Sequence, residues 1–379
     1  MLIRQVVHFI SIKEAELSEP TSRRSFITRS AAAGAASLFA AASTGAQPSP
    51  NRKLKIGVIG VGNWSFMTWC WSDIIEGTKP GSARGNFGMP ILNMEITQVW
   101  DPDPKAAQAF AKQLGITVAK SYDSMLGSID GLIIADMLNV PYQKTLARPY
   151  LEAGVPTYLS RPFAYSLRDI DDILESAAKA NTPIMATAKY EHYKEVAAMR
   201  NRLKNVGIIR NVHATAYSPD FPMHFHIQFM MLKILGYDVK RVSLFYEHET
   251  KANYVHETYL YGGNGNQPPF VCSIDGARIP DSFHITVVGD QGIETASMLR
   301  EYEGWQDDLE FRYLPQVLDM QRTFYGKNFE PYQVVRKKTE IFLTGFYSAL
   351  EKGGAPVDVG AVPADWRVRT PNINTDPRF

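Results

Sequence analysis

The stretch that most constrains this chain is 53–65, Lys-Leu-Lys-Ile-Gly-Val-Ile-Gly-Val-Gly-Asn-Trp-Ser. Leu54, Ile56, Val58 and Ile59 form a short apolar run that enters Gly60-Val61-Gly62. Such a run, broken by glycines and followed by helical spacing, reads as a buried parallel strand turning into a helix. Gly60 permits the tight turn. Gly62 lets backbone N–H groups approach a pyrophosphate at the helix N-terminus, where unpaired donors point outward. Asn63 opens the helix, and Trp64, beside the turn, is placed to pack on a bound cofactor. The third glycine of the G-x-G-x-x-G fingerprint is replaced by Ser65. Taken alone, the stretch also fits a plain strand-to-helix turn.

The next 120 or so residues keep alternating between strand and helix signals. A helix is predicted from Asn63 to about Ile75, then a Gly/Pro-rich loop over 77–90. Met94–Trp100 reads as a strand with Asp101 at its end, followed by a helix over 105–114. A short helix near Asp123–Leu126 precedes a strand at Gly131–Ala135. Asn139-Val140-Pro141 leads into a helix ending at Leu151-Glu152-Ala153-Gly154. Thr157–Leu159 is a strand closed by Ser160-Arg161-Pro162, Leu167–Ala180 an amphipathic helix, and Ile184–Thr187 a further strand. This alternation predicts a doubly wound parallel sheet, whose ligands sit at the carboxyl ends of the strands. Gly62, Asp101, Asn139 and Arg161 all follow strands and should face one crevice.

Asp101 comes well beyond the roughly 20 residues that usually separate the glycines from the ribose-binding acid. A carboxylate there can still accept hydrogen bonds from an adenosine ribose and would repel a 2′-phosphate, favouring NAD over NADP. Asp101-Pro102-Asp103-Pro104 is equally good helix-capping sequence.

After about Lys189 the pattern changes. A helix at Val196–Leu203 is followed by extended runs at 211–217, 240–248, 253–261, 270–274, 282–289 and 292–298, with one helix inserted at Phe229–Leu235. Successive strands predict an α+β domain with a largely antiparallel sheet. A helix over 337–352 and a Pro/Arg-rich tail close the chain.

The 379 residues suffice for about two domains and a tail. A net charge of +1 gives no electrostatic case for nucleic acid or an anionic membrane. Cys70 and Cys272 can pair in an oxidising compartment, although the apolar context of Cys70 suits a buried free thiol. The N-terminus reads as a targeting segment. Ser22-Arg23-Arg24-Ser25-Phe26-Ile27 resembles the twin-arginine export motif, and an apolar run from Ala31 to Ala42 follows. That run is shorter than the about 20 residues needed to span a bilayer. Thr44-Gly45-Ala46 supplies small residues for cleavage. The expected organisation is signal peptide 1–46, linker 47–52, NAD-binding Rossmann domain 53–188, an α+β domain 189–365, to which the family resemblance given below assigns substrate binding and oligomerisation, and tail 366–379. The mature chain is expected in the periplasm or outside the cell, with no membrane span.

With these residues in hand, the chain resembles the glucose–fructose oxidoreductase / inositol dehydrogenase / MocA family over about 53–365. The resemblance rests on Gly60-Val61-Gly62, Asp101-Pro102-Asp103-Pro104, the Leu-Glu-Ala-Gly helix end and the Arg161-Pro162 turn. Two further features belong to it: His226 ten positions before Gly236, and the turn Val288-Gly289-Asp290-Gln291-Gly292. It implies a Rossmann domain, an open-sheet second domain that forms oligomers, bound nicotinamide, and sugar or polyol substrates. It places Gly60, Gly62, Asn63, Trp64, Asp101, Asn139, Arg161 and Pro162 around the cofactor.

The departures are informative. Ser160-Arg161-Pro162 stands where the family has Glu-Lys-Pro. Arginine keeps the charge but cannot be the base, since it does not deprotonate in a protein. Gln143 or Tyr142 stands where the family often has a histidine. Phe229 replaces the carboxylate three positions after the catalytic histidine. His226 is the best candidate base, with an ordinary pKa of about 6.5, the alternative being a histidine buried for packing. Tyr193 is a candidate for the same cleft or a rim aromatic, and His192 a weaker one. His224 and His226, with Asp220 nearby, suggest a metal only in extended chain, and no metal is expected.

Three readings follow. The first is an exported NAD-dependent oxidoreductase acting on a carbohydrate, its cofactor tightly held. The second is an NAD-dependent glycosidase working by transient oxidation and elimination. The third is a degenerate sugar-binding member.

Overall fold

The structure is a computed structural model describing residues 52–62, 75, 92–135, 137–217, 224–247, 254–277, 282–298, 305–327 and 329–369. The targeting segment, Asn63, Trp64, Cys70, most of the helix after Asn63 and the 77–90 loop lie outside the described residues.

The first sheet contains β1 (Leu54–Ile59), β2 (Met94–Trp100), β3 (Thr117–Val118), β4 (Gly131–Ile134), β5 (Thr157–Leu159) and β6 (Ile184–Met185). Their order is β3-β2-β1-β4-β5-β6, and every pairing is parallel. β4, β5 and β6 are buried throughout, as strands covered on both faces must be. The order reverses between β1 and β4, which places the switch-point crevice at the exits of those strands.

Helices cover both faces. α1 (Pro104–Leu114) is capped by Asp103, whose side chain accepts from the Lys105 N–H, and it ends at Gly115. α2 (Gln143–Glu152) and α3 (Leu167–Ala180) pack together on the other face. Ser166 caps α3, its hydroxyl accepting from the Asp169 N–H at 3.1 Å. The segment expected to be a short helix near 123–126 is instead a run of turns, closed by bonds such as Leu126 N–H to Asp123 O at 3.2 Å. Single turns satisfy that backbone, and Met125 is its one fully buried anchor.

The second sheet contains β7 (Ile209–Tyr217), β8 (Val239–Glu247), β9 (Tyr254–Tyr261), β10 (Phe270–Ala277), β11 (Phe283–Gly289), β12 (Ile293–Met298) and β13 (Val357–Asp358). The order is β12-β11-β7-β10-β9-β8-β13. All pairs are antiparallel except β7 with β10. Burial alternates along β9, with Val255, Glu257, Tyr259 and Tyr261 inside. The inner face packs beneath α5 (Phe225–Leu235) and α7 (Tyr332–Lys352). α4 (Lys194–Arg202) links the two sheets. Cys272 is a buried free thiol on β10.

One helix is absent from the sequence-based expectation: α6, Trp305–Phe324. Tyr313, Val317, Met320 and Phe324 form its buried stripe, packed with Leu54, Ile56 and Val58 of the first sheet. The contact is close enough that a Cβ on Gly131 would lie 2.8 Å from the Phe324 ring. α7 also returns to the first domain. The Tyr332 hydroxyl donates to Thr182 O at 2.6 Å, and α7 begins five residues before the predicted Lys337.

Candidate active site

The glycine turn leaves β1 at Gly60, whose φ of 91° suits glycine. The next two backbone donors are taken by Asp101, five per cent exposed at the end of β2. Its Oδ2 accepts from the Val61 N–H at 2.7 Å and from the Gly62 N–H at 3.1 Å. Its Oδ1 accepts from the Asp103 N–H at 2.7 Å. The two roles weighed for Asp101 therefore separate. Helix capping falls to Asp103, while Asp101 braces the glycine loop. A carboxylate oxygen can accept more than one hydrogen bond, so Asp101 still fits a ribose hydroxyl. The glycine turn at φ > 0 and the acceptor carboxylate closing β2 are features that a dinucleotide site uses, for the pyrophosphate turn and for a ribose hydroxyl, so the residues present fit a nicotinamide dinucleotide.

Asn139 lies in a 3-10 helix, Met137–Tyr142, after β4. Gln143, at the start of α2, is buried and donates to Ser160 O at 2.9 Å, fixing the backbone just ahead of Arg161. Arg161 and Pro162 are joined by a cis peptide. Arg161 is buried, its guanidinium 5.7 Å from the Phe225 ring centroid. It also lies beside Tyr158: burial pushes that phenol up, against the pull of the guanidinium.

His226 occupies the first turn of α5 and is two per cent exposed. Its Nδ1 has no hydrogen-bond partner among the described residues. Burial holds its pKa well below the ordinary value, and the charges of Arg161 and Lys189 push it further down. The imidazole is therefore neutral near pH 7 and able to accept a proton. Among the described residues no carboxylate orients it: Phe229, one turn on, is stacked on Phe163 with centroids 5.1 Å apart.

His224 faces the other way, as residues two apart on a helix must. It is fully buried, its Nε2–H donating to Glu257 Oε2 at 3.1 Å, while Gln228 donates to Glu257 Oε1 at 2.8 Å. The histidine with an acidic partner is thus His224, against the sheet, and His226 faces the crevice.

Two aromatics pack on His226: Phe225, with ring centroids 4.3 Å apart, and Tyr190, at 5.3 Å. Tyr193 packs behind it, 5.3 Å from Tyr190 and stacked on Phe283 at 6.3 Å. Two residues of this wall, Lys189 and Tyr190, were not singled out from sequence. Both sit in the 3-10 helix Lys189–His192 that leaves β6, so the strand-exit rule that selected Arg161 also selects them. Lys189 is buried, its ammonium 5.2 Å from the Tyr190 ring centroid and 5.6 Å from that of Tyr313. Glu257 was missed as well, although a glutamate in the buried phase of an alternating strand is itself a signal.

A doubly wound parallel sheet with a buried histidine and two cations near its carboxyl edge invites comparison with known dinucleotide-binding proteins. Residues 54–188 match the family model described as the Gfo/Idh/MocA oxidoreductase family, NAD-binding Rossmann fold. The solved structures carry the likeness through the second domain. An apo scyllo-inositol dehydrogenase from Lactobacillus casei aligns with a TM-score of 0.65 and 13% identity, covering 82% of this chain and 99% of that one. An oxidoreductase from Agrobacterium radiobacter, in complex with NAD+, L-tartaric acid and magnesium, aligns at 0.62 and 18%, covering 82% and 99%. These two establish the fold. A UDP-kanosamine synthase oxidoreductase subunit of Amycolatopsis mediterranei is 25% identical over 136 residues, 35% of this chain and 37% of that protein. An uncharacterised oxidoreductase of Streptococcus pneumoniae is 25% identical over 161 residues, 42% and 38%. The matched stretches thus span less than two fifths of these curated relatives. The family model thus covers the first domain, and the solved structures share the fold of both domains.

Proposed function

We propose that the chain is an NAD-dependent oxidoreductase that oxidises a secondary alcohol of a sugar or sugar derivative, with His226 accepting the hydroxyl proton. The observation that carries this is the buried, neutral imidazole of His226, its Nδ1 unpartnered among the described residues, under the influence of Arg161 and Lys189. Bound nicotinamide supplies the acceptor for the carbon-bound hydrogen. The protein's part is proton and charge management. Arg161 and Lys189 disfavour a standing positive charge on His226. The same two cations favour the oxyanion left when the alcohol loses its proton. Tyr190, backed by Tyr193 and Phe283, excludes water from one side of the imidazole. Asp101 favours an unphosphorylated ribose and hence NAD over NADP. The names of similar proteins point to polyols and sugar nucleotides as the substrate class.

The test is single-turnover absorbance of reduced nicotinamide when protein, NAD and candidate polyols are mixed. Reduced cofactor should accumulate, and His226→Ala should abolish turnover while leaving the NAD-dependent thermal shift intact. Release of free sugar without net reduction would replace this reading with oxidation–elimination. No NAD-dependent thermal shift at all would leave a degenerate binding protein.

The proposal extends to export through the Ser22–Ile27 motif, with cofactor retained on the way. Mass spectrometry of the ligand released from natively exported protein tests it. Self-association through the outer face of the second sheet, where Phe245, Tyr254, Val271 and Ile293 are exposed, is tested by mass photometry.

A further inference from the structure

A cavity of about 240 Å³ lies at the exit of β6, between the end of α5, α6 and the start of α7. None of Arg161, Tyr193 or His226 lines it. Lys233, on its wall, follows His226 by two helical turns, about 10 Å along α5. The cavity is therefore separate from the crevice.

Most of its polar lining is already committed. The Asp319 carboxylate accepts from His192 Nδ1–H at 2.8 Å and from Arg322 at 2.7 Å. The His192 Nε2 is hydrogen-bonded with the Thr187 hydroxyl at 2.8 Å. Glu330 accepts from Lys338 at 2.7 Å. Both carboxylates that line the cavity thus have their own cations. Two donors are left. Neither the Lys233 ammonium nor the Tyr237 hydroxyl has a hydrogen-bond or ion-pair partner among the described residues. Burial pushes the Tyr237 phenol up to about 12, so it stays a donor. The rest of the wall includes Met185, Phe329, Pro331 and Val334.

A cation and a neutral donor beside an apolar surface specify a small anion with a hydrocarbon portion. We propose that this cavity binds a short-chain organic carboxylate, ion-paired to Lys233 and hydrogen-bonded by Tyr237, with its alkyl part against Met185 and Val334. A neutral ligand leaves the ammonium without a counter-charge. A bare phosphate makes no use of the apolar wall.

The test is isothermal titration of the full chain with isovalerate and with isovaleramide, its uncharged isostere. Isovalerate should bind saturably with one site per chain, and isovaleramide about tenfold or more weakly, the loss of one charge-assisted hydrogen bond. Lys233→Gln should weaken isovalerate about tenfold and Tyr237→Phe about fivefold, each with an unchanged thermal melt. His226→Ala should bind isovalerate like the unaltered protein. The proposal is overturned by no saturable binding up to about 10 mM, by equal binding of the amide or of inorganic phosphate, or by Lys233→Gln binding as before. Loss of binding in His226→Ala would place the ligand in the crevice and overturn it too.

Discussion

Lys338 on α7 is the junction most open to a quantitative test. Its ammonium is fully buried and donates to Ala186 O at 2.7 Å, to Glu191 Oε2 at 3.1 Å and to Glu330 Oε2 at 2.7 Å. It also sits 5.3 Å from the Phe163 ring centroid and 5.4 Å from that of Phe229. Burial pushes the Glu191 carboxyl up, and the Lys338 charge opposes that. In Lys338→Met the methionine fills most of the aliphatic space. Glu191 then keeps the Ala188 N–H, at 2.7 Å, but loses its cation, and the Ala186 carbonyl loses its donor. Removing one partner of a buried pair costs about 3–5 kcal/mol. Glu330, which is partly exposed, loses the same cation. The double variant Glu191→Gln/Lys338→Met removes the fully buried one of the two stranded charges, so it should recover part of that loss, with a coupling of about 1–3 kcal/mol. Urea unfolding of the four proteins at neutral pH measures each value. The reasoning fails if Lys338→Met costs less than about 1 kcal/mol, or if the two single effects simply add. Because Glu191 belongs to the 3-10 helix that carries Lys189 and Tyr190, the single variant should also lower turnover.

Other expectations concern the crevice and the outer sheet. Asp101→Asn should weaken NAD about tenfold by calorimetry, since three backbone donors lose a charged acceptor; an unchanged affinity would show that the brace is idle. In Lys189→Met one of the cations holding down the His226 pKa is gone. The imidazole should titrate closer to its ordinary value by NMR in the cofactor-free protein, and the acid limb of kcat/KM should move to higher pH with it. Burial tends to raise the Asp275 carboxyl, but hydrogen bonds from Tyr254, His256 and His213 outweigh it and hold the value at about 2. A depressed acid stabilises the fold above its unfolded value, 3.8, and loses that contribution as pH falls toward 2. The stability gap between the unaltered protein and Asp275→Asn should therefore narrow across that window; a gap independent of pH there would refute the assignment.

How much of this was legible in sequence depends on whether the signal was local. β2 and α3 have the predicted bounds because alternation, a serine cap and an asparagine stop all lie within each segment. The first domain's strand exits were legible for the same reason, and they led to Gly60, Asp101 and Arg161. α6 was missed although its stripe at 313, 317, 320 and 324 has helical spacing. An interior proline at 315 and a polar average hide that spacing, and its partner surface lies in another domain. The brace from Asp101 to the glycine turn could not be read, because it joins residues 40 positions apart through geometry alone. Which histidine receives an acidic partner turned on the pairing of β9, a long-range fact. His224 took Glu257, and His226 was left facing two cations. Asn63 and Trp64 lie outside the described residues, so their proposed cofactor contacts rest on the sequence.

The packing of Phe324 against Gly131 has a consequence for the order of assembly. A ribosome adding about 5–20 residues per second finishes β6 on the order of ten seconds before it reaches Phe324. Throughout that interval one face of the first sheet has α1 in place but lacks the part of its cover that α6 supplies. Its strands are parallel and apolar, the kind most prone to wrong associations while they wait. The nucleotide-binding half is thus complete only when the second half has been synthesised and sends α6 back. A chain cut after residue 188 would hold every strand of its first sheet and still lack the helix that closes it.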